Sequence, residues 1–372
     1  IYMRQIRLPL GMRDLVFEET RKKRQLQNRI ESIFQSYGYE EVIAPTIEFL
    51  ETYQKAFSSL KEQEMYKFFD AKSNTLALRM DMTVPIARIC ASKYKDKEGP
   101  FRFRYCANVF KVRESFAGKR SEVTDCGVEL IGLDEQSDLE VLCCALDTMQ
   151  SFQASSYTLE IGNSSFFKKA CALLELPEDQ IETLAKLIDQ KSMVDLKAYL
   201  SSLQLSKEQE AFFYQLPLLN GKDGLENAMQ ASFDEELKEI VRKLQKLQEN
   251  LKSLGYEDTI TFDLGKVPHL DYYTGILFEG YVEGVGTSVL SGGRYDHLLN
   301  TFGKDMPAVG FSVKLDYLLD VIDSVSKKVL YLYYPMSKQL EAFQKAKELR
   351  KEKEVKLISY EGCEIKIQEG VQ

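Results

Sequence analysis

The residues best placed to do chemistry stand in the stretch VPHLDYYTGILFEGYVEG, residues 267–284. It sets Asp271, Tyr272 and Tyr273 side by side, then runs through Ile276, Leu277 and Phe278 into Glu279. An acid accepts hydrogen bonds, and adjacent tyrosines add hydroxyls and flat apolar rings, so the stretch reads as the wall of a binding site. Pro268 and His269 stand just ahead. No lysine or arginine lies within the stretch, which leaves no cation there for whatever carboxylate or phosphate the wall faces.

Composition narrows the kinds of protein that could carry such a wall. The 372 residues are 44% hydrophobic and 28% charged, enough apolar material for one large core and one or two smaller units in a globular chain. No run approaches ~18 apolar residues, so no membrane span is expected. The opening IYMRQIRLPLGMRD has no apolar core or small-residue cleavage site, and no export signal is read there. The seven cysteines, Cys90, Cys106, Cys126, Cys143, Cys144, Cys171 and Cys363, are odd in number and form no C-x-x-C pair. Free buried thiols in a reducing cytoplasm are expected, with no metal and no cofactor. A net charge of −8 and the lack of an arginine-rich tract lower the expectation of nucleic-acid binding, whose affinity comes largely from Lys and Arg neutralising phosphates.

The elements that must position the wall follow from periodicity. Residues 18–38 read as a helix: Leu26, Ile30, Ile33, Phe34 and Tyr37 recur at threes and fours, and Gly38 is a natural stop. YEEVIAPTIEFLE reads as a strand ending against Pro45. TLALRMDMTVPIARICASKY joins a short strand to a helix. FRFRYCANVFKVRES is a long alternating strand, and SEVTDCGVELIGL is its hairpin partner across the turn FAGK. DLEVLCCALDTMQSF returns to helical spacing. From 166 to 255 the chain is rich in Leu, Lys, Glu and Gln; Leu237, Val241, Leu244, Leu247, Leu251 and Leu254 make one apolar stripe, which predicts a helical insertion packed on the core. Strands resume at TITFDLG, DYYTGILFEGYV and TSVLSGGRYDHLL, and MPAVGFSVKLDYLLDVI reads as a strand feeding a helix. Residues 326–372 read as strand, helix, strand. The expected fold is α+β, an antiparallel sheet flanked by helices, with a core over 1–325, its insertion at 166–255, and a small α/β tail.

Taken in order, these segments resemble the catalytic core of histidyl-tRNA synthetase, a class II synthetase. IFQSYGYEEVIAPTIEFLE is similar to its dimerisation motif 1, FRFRYCANVFKVRES with its hairpin partner to motif 2, and PAVGFSVKLDYLL to motif 3. LDYYTGILFE and SGGRYDHLL resemble its two histidine-recognition segments. The resemblance implies a pocket for free histidine. It places Asp81 and Thr83 at the ammonium, Asp125 near the ammonium, and Glu129 near the ring. Tyr273 and Tyr295 would flank the imidazole with Tyr272 as a neighbour. Those types suit the ligand: acids and hydroxyls for the ammonium and ring, a cation for the carboxylate. Asp125 stands where the family usually has glutamine.

The departures concern activation. Pro268 takes the position of an arginine that serves the activated carboxylate, with His269 where glycine is usual. Lys111 stands where an arginine grips the α-phosphate, and Arg113 replaces an acidic neighbour. Tyr317 stands where an arginine holds the triphosphate, and Lys314 fills a glycine position under the nucleotide. Lysine is a flexible point charge and cannot reproduce a bidentate fork. A charge-assisted hydrogen bond is worth ~1.5–3 kcal/mol net, and an arginine aimed at a phosphoryl group ~10³-fold in rate. Losing two and weakening a third removes many decades of adenylate formation, at ~1.4 kcal/mol each. The tail is also less than half the synthetases' anticodon-binding domain, and no tRNA partner is expected.

A synthetase paralogue with lost activation residues resembles the ATP phosphoribosyltransferase regulatory subunits. That resemblance implies a non-catalytic, cytoplasmic partner of the short-form ATP phosphoribosyltransferase catalytic subunit, needed for its activity and for feedback by histidine as effector. It also implies a homodimer, through motif 1, within a hetero-octamer. An active histidine–tRNA ligase and a stand-alone histidine sensor are the alternatives.

Overall fold

The computed structural model describes residues 7–57, 60, 62–113, 120–267, 273–323 and 328–371. The chain divides into two compact units, one of residues 1–14 and 23–322 and one of residues 15–22 and 323–372. Helix α1 (Phe17–Ser36) is followed by short strands β1 (Glu40–Glu41) and β2 (Ile47–Phe49), helix α2 (Leu50–Ala56), strands β3 (Lys67–Phe69) and β4 (Thr75–Leu78), and helix α3 (Thr83–Lys93). Long strands β5 (Phe101–Phe110) and β6 (Glu122–Ile131) lead to α4 (Asp138–Gln150) and β7 (Tyr157–Asn163). Six helices come next: α5 (Ser164–Leu173), α6 (Glu178–Asp189), α7 (Met193–Leu200), α8 (Lys207–Gln215), α9 (Gly224–Ala231) and α10 (Glu235–Ser253), with the two-residue strand β8 (Asn220–Gly221) between α8 and α9. Strands β9 (Ile260–Asp263), β10 (Ile276–Val282), β11 (Leu290–Arg294) and β12 (Ala308–Lys314) complete the first unit's regular elements.

Local signals place the helix ends where chemistry demands. At the end of α1, Gly38 has φ 79°. The Tyr39 N–H donates to the Phe34 carbonyl at 3.1 Å and the Gly38 N–H to the Gln35 carbonyl at 2.9 Å, a Schellman closure that needs the left-handed residue. Leu26, Ile30 and Phe34 are buried on one face of that helix. In α10 the Asp234 carboxylate caps the Glu236 N–H, and Leu237, Val241, Leu244 and Leu251 are buried; Leu254 of the expected stripe is exposed at the helix end.

Nine strands form one sheet in the order β1-β5-β6-β12-β11-β10-β7-β9-β8. Its pairings are antiparallel except β1 with β5 and β7 with β9. Register decides which residues share a face. Ala107, Tyr105 and Phe103 of β5 stand opposite Asp125, Gly127 and Glu129 of β6. Lys314, Ser312 and Gly310 of β12 stand opposite those same three, and Ser291 and Gly293 of β11 continue the rows. The reverse face carries Val128, Leu130, Phe311, Val313 and Phe278, all buried. The Phe34 ring of α1 meets Phe311 edge-on at 5.7 Å. One face is therefore helix-covered core and the other is free to build a cleft.

Several expectations are corrected. The strand read as ending against Pro45 does stop before it, as β1 in the main sheet, but the residues after Pro45 form a second strand, β2, which joins a separate sheet of order β2-β4-β3 before α2 begins at Leu50. After β12 the chain makes a 3₁₀ turn, Leu315–Tyr317, rather than the expected helix. Asp316 is drawn back to the sheet there, accepting from the Thr124 N–H at 2.7 Å and from Lys23 at 3.0 Å. Cys106 and Cys126 stand opposite each other in the β5–β6 ladder and are joined as a disulfide, whereas Cys90, Cys143, Cys144, Cys171 and Cys363 are free thiols. The turn FAGK lies outside the described residues.

The second unit holds β13 (Lys328–Tyr334), α11 (Gln339–Leu349), β14 (Val355–Ser359) and β15 (Lys366–Val371). The sheet order β14-β13-β15 adds a strand to the strand–helix–strand read from sequence, and Ala342 and Ala346 of α11 are buried in its small core. Among the described residues no helix is long and apolar enough to cross a membrane.

Gly310 gives the sheet its sharpest test. A Cβ there would collide with the Glu129 carboxylate and the Val128 carbonyl, so the residue must be glycine for Glu129 to lie across β12. Gly310→Ala is expected to lower stability by about 1–3 kcal/mol in urea unfolding. Unchanged stability would mean that the Glu129 side chain does not take this path.

Candidate functional site

The cleft face holds a cavity of about 570 Å³. Asp81, Thr83, Asp125, Glu129, Tyr273 and Tyr295 all line it, so six of the seven residues expected to face histidine converge. Lys111, Arg113 and Tyr317 line it too, from the positions expected to face nucleotide. Tyr272 and Pro268 lie outside the described residues, as do His269 and Asp271.

One end is acidic. Glu129 is buried, accepting the Thr83 hydroxyl at 2.7 Å on one oxygen and the Tyr295 hydroxyl on the other. Burial pushes its carboxyl up to about 8, although both donors oppose the rise. Asp81 accepts the Val84 N–H at 3.1 Å, at the start of α3. Burial lifts its carboxyl to about 6, against the pull of Lys111. Asp125 is buried and also raised to about 6 by burial, with Lys314 and Lys111 opposing. One Asp125 oxygen, Oδ1, is buried without a hydrogen bond. Three carboxyl groups packed this way cost free energy that a ligand bringing N–H donors and positive charge would recover.

The other end is cationic. Arg120 lies 3.6 Å from Asp316 and 3.9 Å from Asp320. Lys314, half-buried, donates to Ser291 Oγ at 3.2 Å, and burial holds its ammonium below the ordinary lysine range. Tyr317 packs beside the hydrophobic cluster around Tyr105 and Tyr295, a neutral ring at the position expected to match a synthetase guanidinium. The question of the missing cation is also answered in part: Glu279 has Lys266, which bonds it and, at 3.0 Å, Glu160. That lysine is one residue ahead of the stretch and is consumed by these acids.

Sequence reasoning missed Tyr105, Ser291, Ser312 and Arg120, which also line the cavity. Strand alternation could have put Tyr105, Ser291 and Ser312 each on a face, but only the pairing register brings them into one row with Gly127; Arg120 lies just before β6, where no strand period places it. It also missed Arg294, of SGGRYDHLL, which is 1% exposed. Arg294 bonds Asp138 at 2.6 and 2.8 Å, Asp296 at 2.9 Å and the Asp134 carbonyl at 2.7 Å. The Tyr295 N–H meets the Ala308 carbonyl at 2.7 Å, so the tyrosine that holds Glu129 is fixed from both sides.

The histidyl-tRNA synthetase family model matches residues 11–318. An ATP phosphoribosyltransferase regulatory subunit of Caldanaerobacter subterraneus subsp. tengcongensis is 34% identical over 368 residues, 96% of each chain. One of Clostridium botulinum is 35% identical over 337 residues, 88% of this chain and 80% of that protein. The crystal structure of a Bacillus halodurans protein, described as an ATP phosphoribosyltransferase regulatory subunit/histidyl-tRNA synthetase, aligns with TM-score 0.86 and 30% identity over 97% of this chain and 94% of that one. A histidyl-tRNA synthetase of Nostoc sp. PCC 7120, at TM-score 0.78 and 22% identity over 97% and 88%, shares the fold.

The buried carboxyls make stability depend on pH. Asp125 rises on folding from its ordinary 3.8 to about 6, so its ionisation costs nothing below pH 3.8 and destabilises the fold increasingly as pH rises through 6. Without ligand, Asp125→Asn is expected to be more stable than wild type at pH 8 by up to about 3 kcal/mol. The difference should close near pH 4. Denaturant unfolding at the two pH values reads this; a gap that is absent at pH 8, or equal at both, contradicts the buried carboxylate.

Proposed function

We infer function from one premise: the chain belongs to the histidyl-tRNA synthetase family and, within it, to the ATP phosphoribosyltransferase regulatory subunits. It is a non-catalytic regulatory subunit in histidine biosynthesis. The observation that carries the finer reading is the asymmetry of the cavity. Its acidic end keeps Asp81, Thr83, Asp125, Glu129, Tyr273 and Tyr295 together, while Lys111 and Tyr317 stand where adenylation calls for guanidinium groups. Such a cavity recognises an amino acid and does not activate it.

The partner in this reading is the short-form ATP phosphoribosyltransferase catalytic subunit, and the effector is histidine bound in this cavity. A ligand shifts an assembly only by its difference in affinity between two states. Histidine would do so by repaying the cost of the three carboxyls in one state more than in the other. A homodimer through the motif 1 region is supported by apolar side chains left on its surface: Ile43 is 84% exposed and Phe49 48%. The homodimer would be built into a hetero-octamer in the cytoplasm, without tRNA.

Two measurements test this. Added to the purified short-form catalytic subunit, the chain is expected to raise its rate and confer inhibition by histidine; no change in either sinks the reading. In the same assay, Glu129→Ala combined with Tyr273→Ala is expected to raise the half-inhibitory histidine concentration by ~10-fold or more, as loss of a hydrogen bond to a charged group implies. Wild-type inhibition in the double variant would place the effector elsewhere. Histidine-dependent ATP–pyrophosphate exchange by the chain alone is expected to be undetectable, and its detection would restore a ligase.

A further inference from the structure

This inference rests on the reading of the cavity as an amino-acid site. The acidic end accounts for a ligand's ammonium and ring but not for its carboxylate. The nearest cation in sequence, Lys266, is taken by Glu160 and Glu279. Arg120 is shared between Asp316 and Asp320. Lys314 is different: it lines the cavity, its hydrogen bond goes to the neutral Ser291 hydroxyl, and although the charges of Asp125 and Glu279 act on it, it forms no ion pair with any described residue. It comes from β12, two strands across the sheet from the tyrosine wall, and its position could not be read from the stretch 267–284.

The sheet geometry orients a ligand along β12. Gly310 stands opposite Glu129 and Lys314 opposite Asp125. These points are four residues apart, about 13 Å at ~3.3 Å per residue, on one face. A free amino acid with its ring toward Glu129 and its ammonium toward Asp81 and Asp125 presents its carboxylate to the Lys314 end. Lys111, also in the lining, adds a second positive charge there, near enough to oppose the Lys314 ammonium when the cavity is empty. An incoming anion relieves that repulsion.

We propose that Lys314, supported by Lys111, is the carboxylate anchor of the bound amino acid, an ammonium on the sheet floor that replaces the missing guanidinium of the tyrosine wall. Lysine neutralises a carboxylate as a point charge without the two-pronged geometry of arginine.

Calorimetry on the full chain tests it, with histidine and with histidinol, which carries a hydroxymethyl group in place of the carboxylate. Wild type is expected to prefer histidine by about 10- to 100-fold, the range of one charge-assisted hydrogen bond. In Lys314→Gln histidine affinity should fall to near that of histidinol, with histidinol affinity within ~3-fold of wild type. Equal wild-type affinity for the two ligands, or a preference that survives in Lys314→Gln, overturns the anchor while leaving the amino-acid site intact. Wild type that binds neither ligand overturns the amino-acid reading itself and the anchor with it.

Discussion

The cleft depends on one steric constraint: the Glu129 side chain lies across β12 where Gly310 has no side chain. That crossing lets a carboxyl enter a face already lined by Asp125 and Asp81, and it sets Glu129 within reach of Thr83 on α3 and Tyr295 after β11. Gly293 repeats the device one strand over, where a Cβ would meet the Tyr273 ring at 2.6 Å. Gly127 does so beneath Tyr105. Glycines on the floor let the side chains of Glu129, Tyr273 and Tyr105 lie across the sheet, and the reverse face keeps its bulky residues for α1.

Electrostatics then separates recognition from reaction. Three carboxyls raised above their ordinary range by burial sit together: Glu129 is held by two hydroxyls and Asp81 by one helix N–H, while Lys111 and Lys314 only partly offset the rise at Asp81 and Asp125. Their charge is expensive when the cavity is empty and favourable when a cation occupies it. That makes the cavity a place where a ligand changes free energy strongly, which suits regulation. Activation needs something else, rigid guanidinium forks around a developing phosphoryl charge, and the opposite end offers lysines, a tyrosine, and an arginine tied to Asp316 and Asp320.

The scaffold behind the cleft is stiff for a similar reason. Arg294 spends its guanidinium on Asp138, Asp296 and backbone carbonyls, satisfying a buried charge and locking the strand that carries Tyr295. Asp316 does the same at the end of β12, gathering the Thr124 N–H and Lys23 and turning the chain before a helix can form.

Local sequence alone determined much of this molecule. The spacing of Leu26, Ile30 and Phe34 marks the buried side of α1, and Gly38 closes it, because helix period and left-handed backbone are properties of neighbours in the chain. Strand alternation put Asp125 and Glu129 on one face of β6, and the order of motifs carried the family. Tertiary structure decided what stands beside what. That Lys314 faces Asp125, that Cys106 meets Cys126, that Arg294 reaches Asp138 and that the residues on either side of Pro45 enter two different sheets are all consequences of pairing register and packing. Alternation has a period of two and is written locally, whereas register is chosen by contacts between segments far apart in sequence.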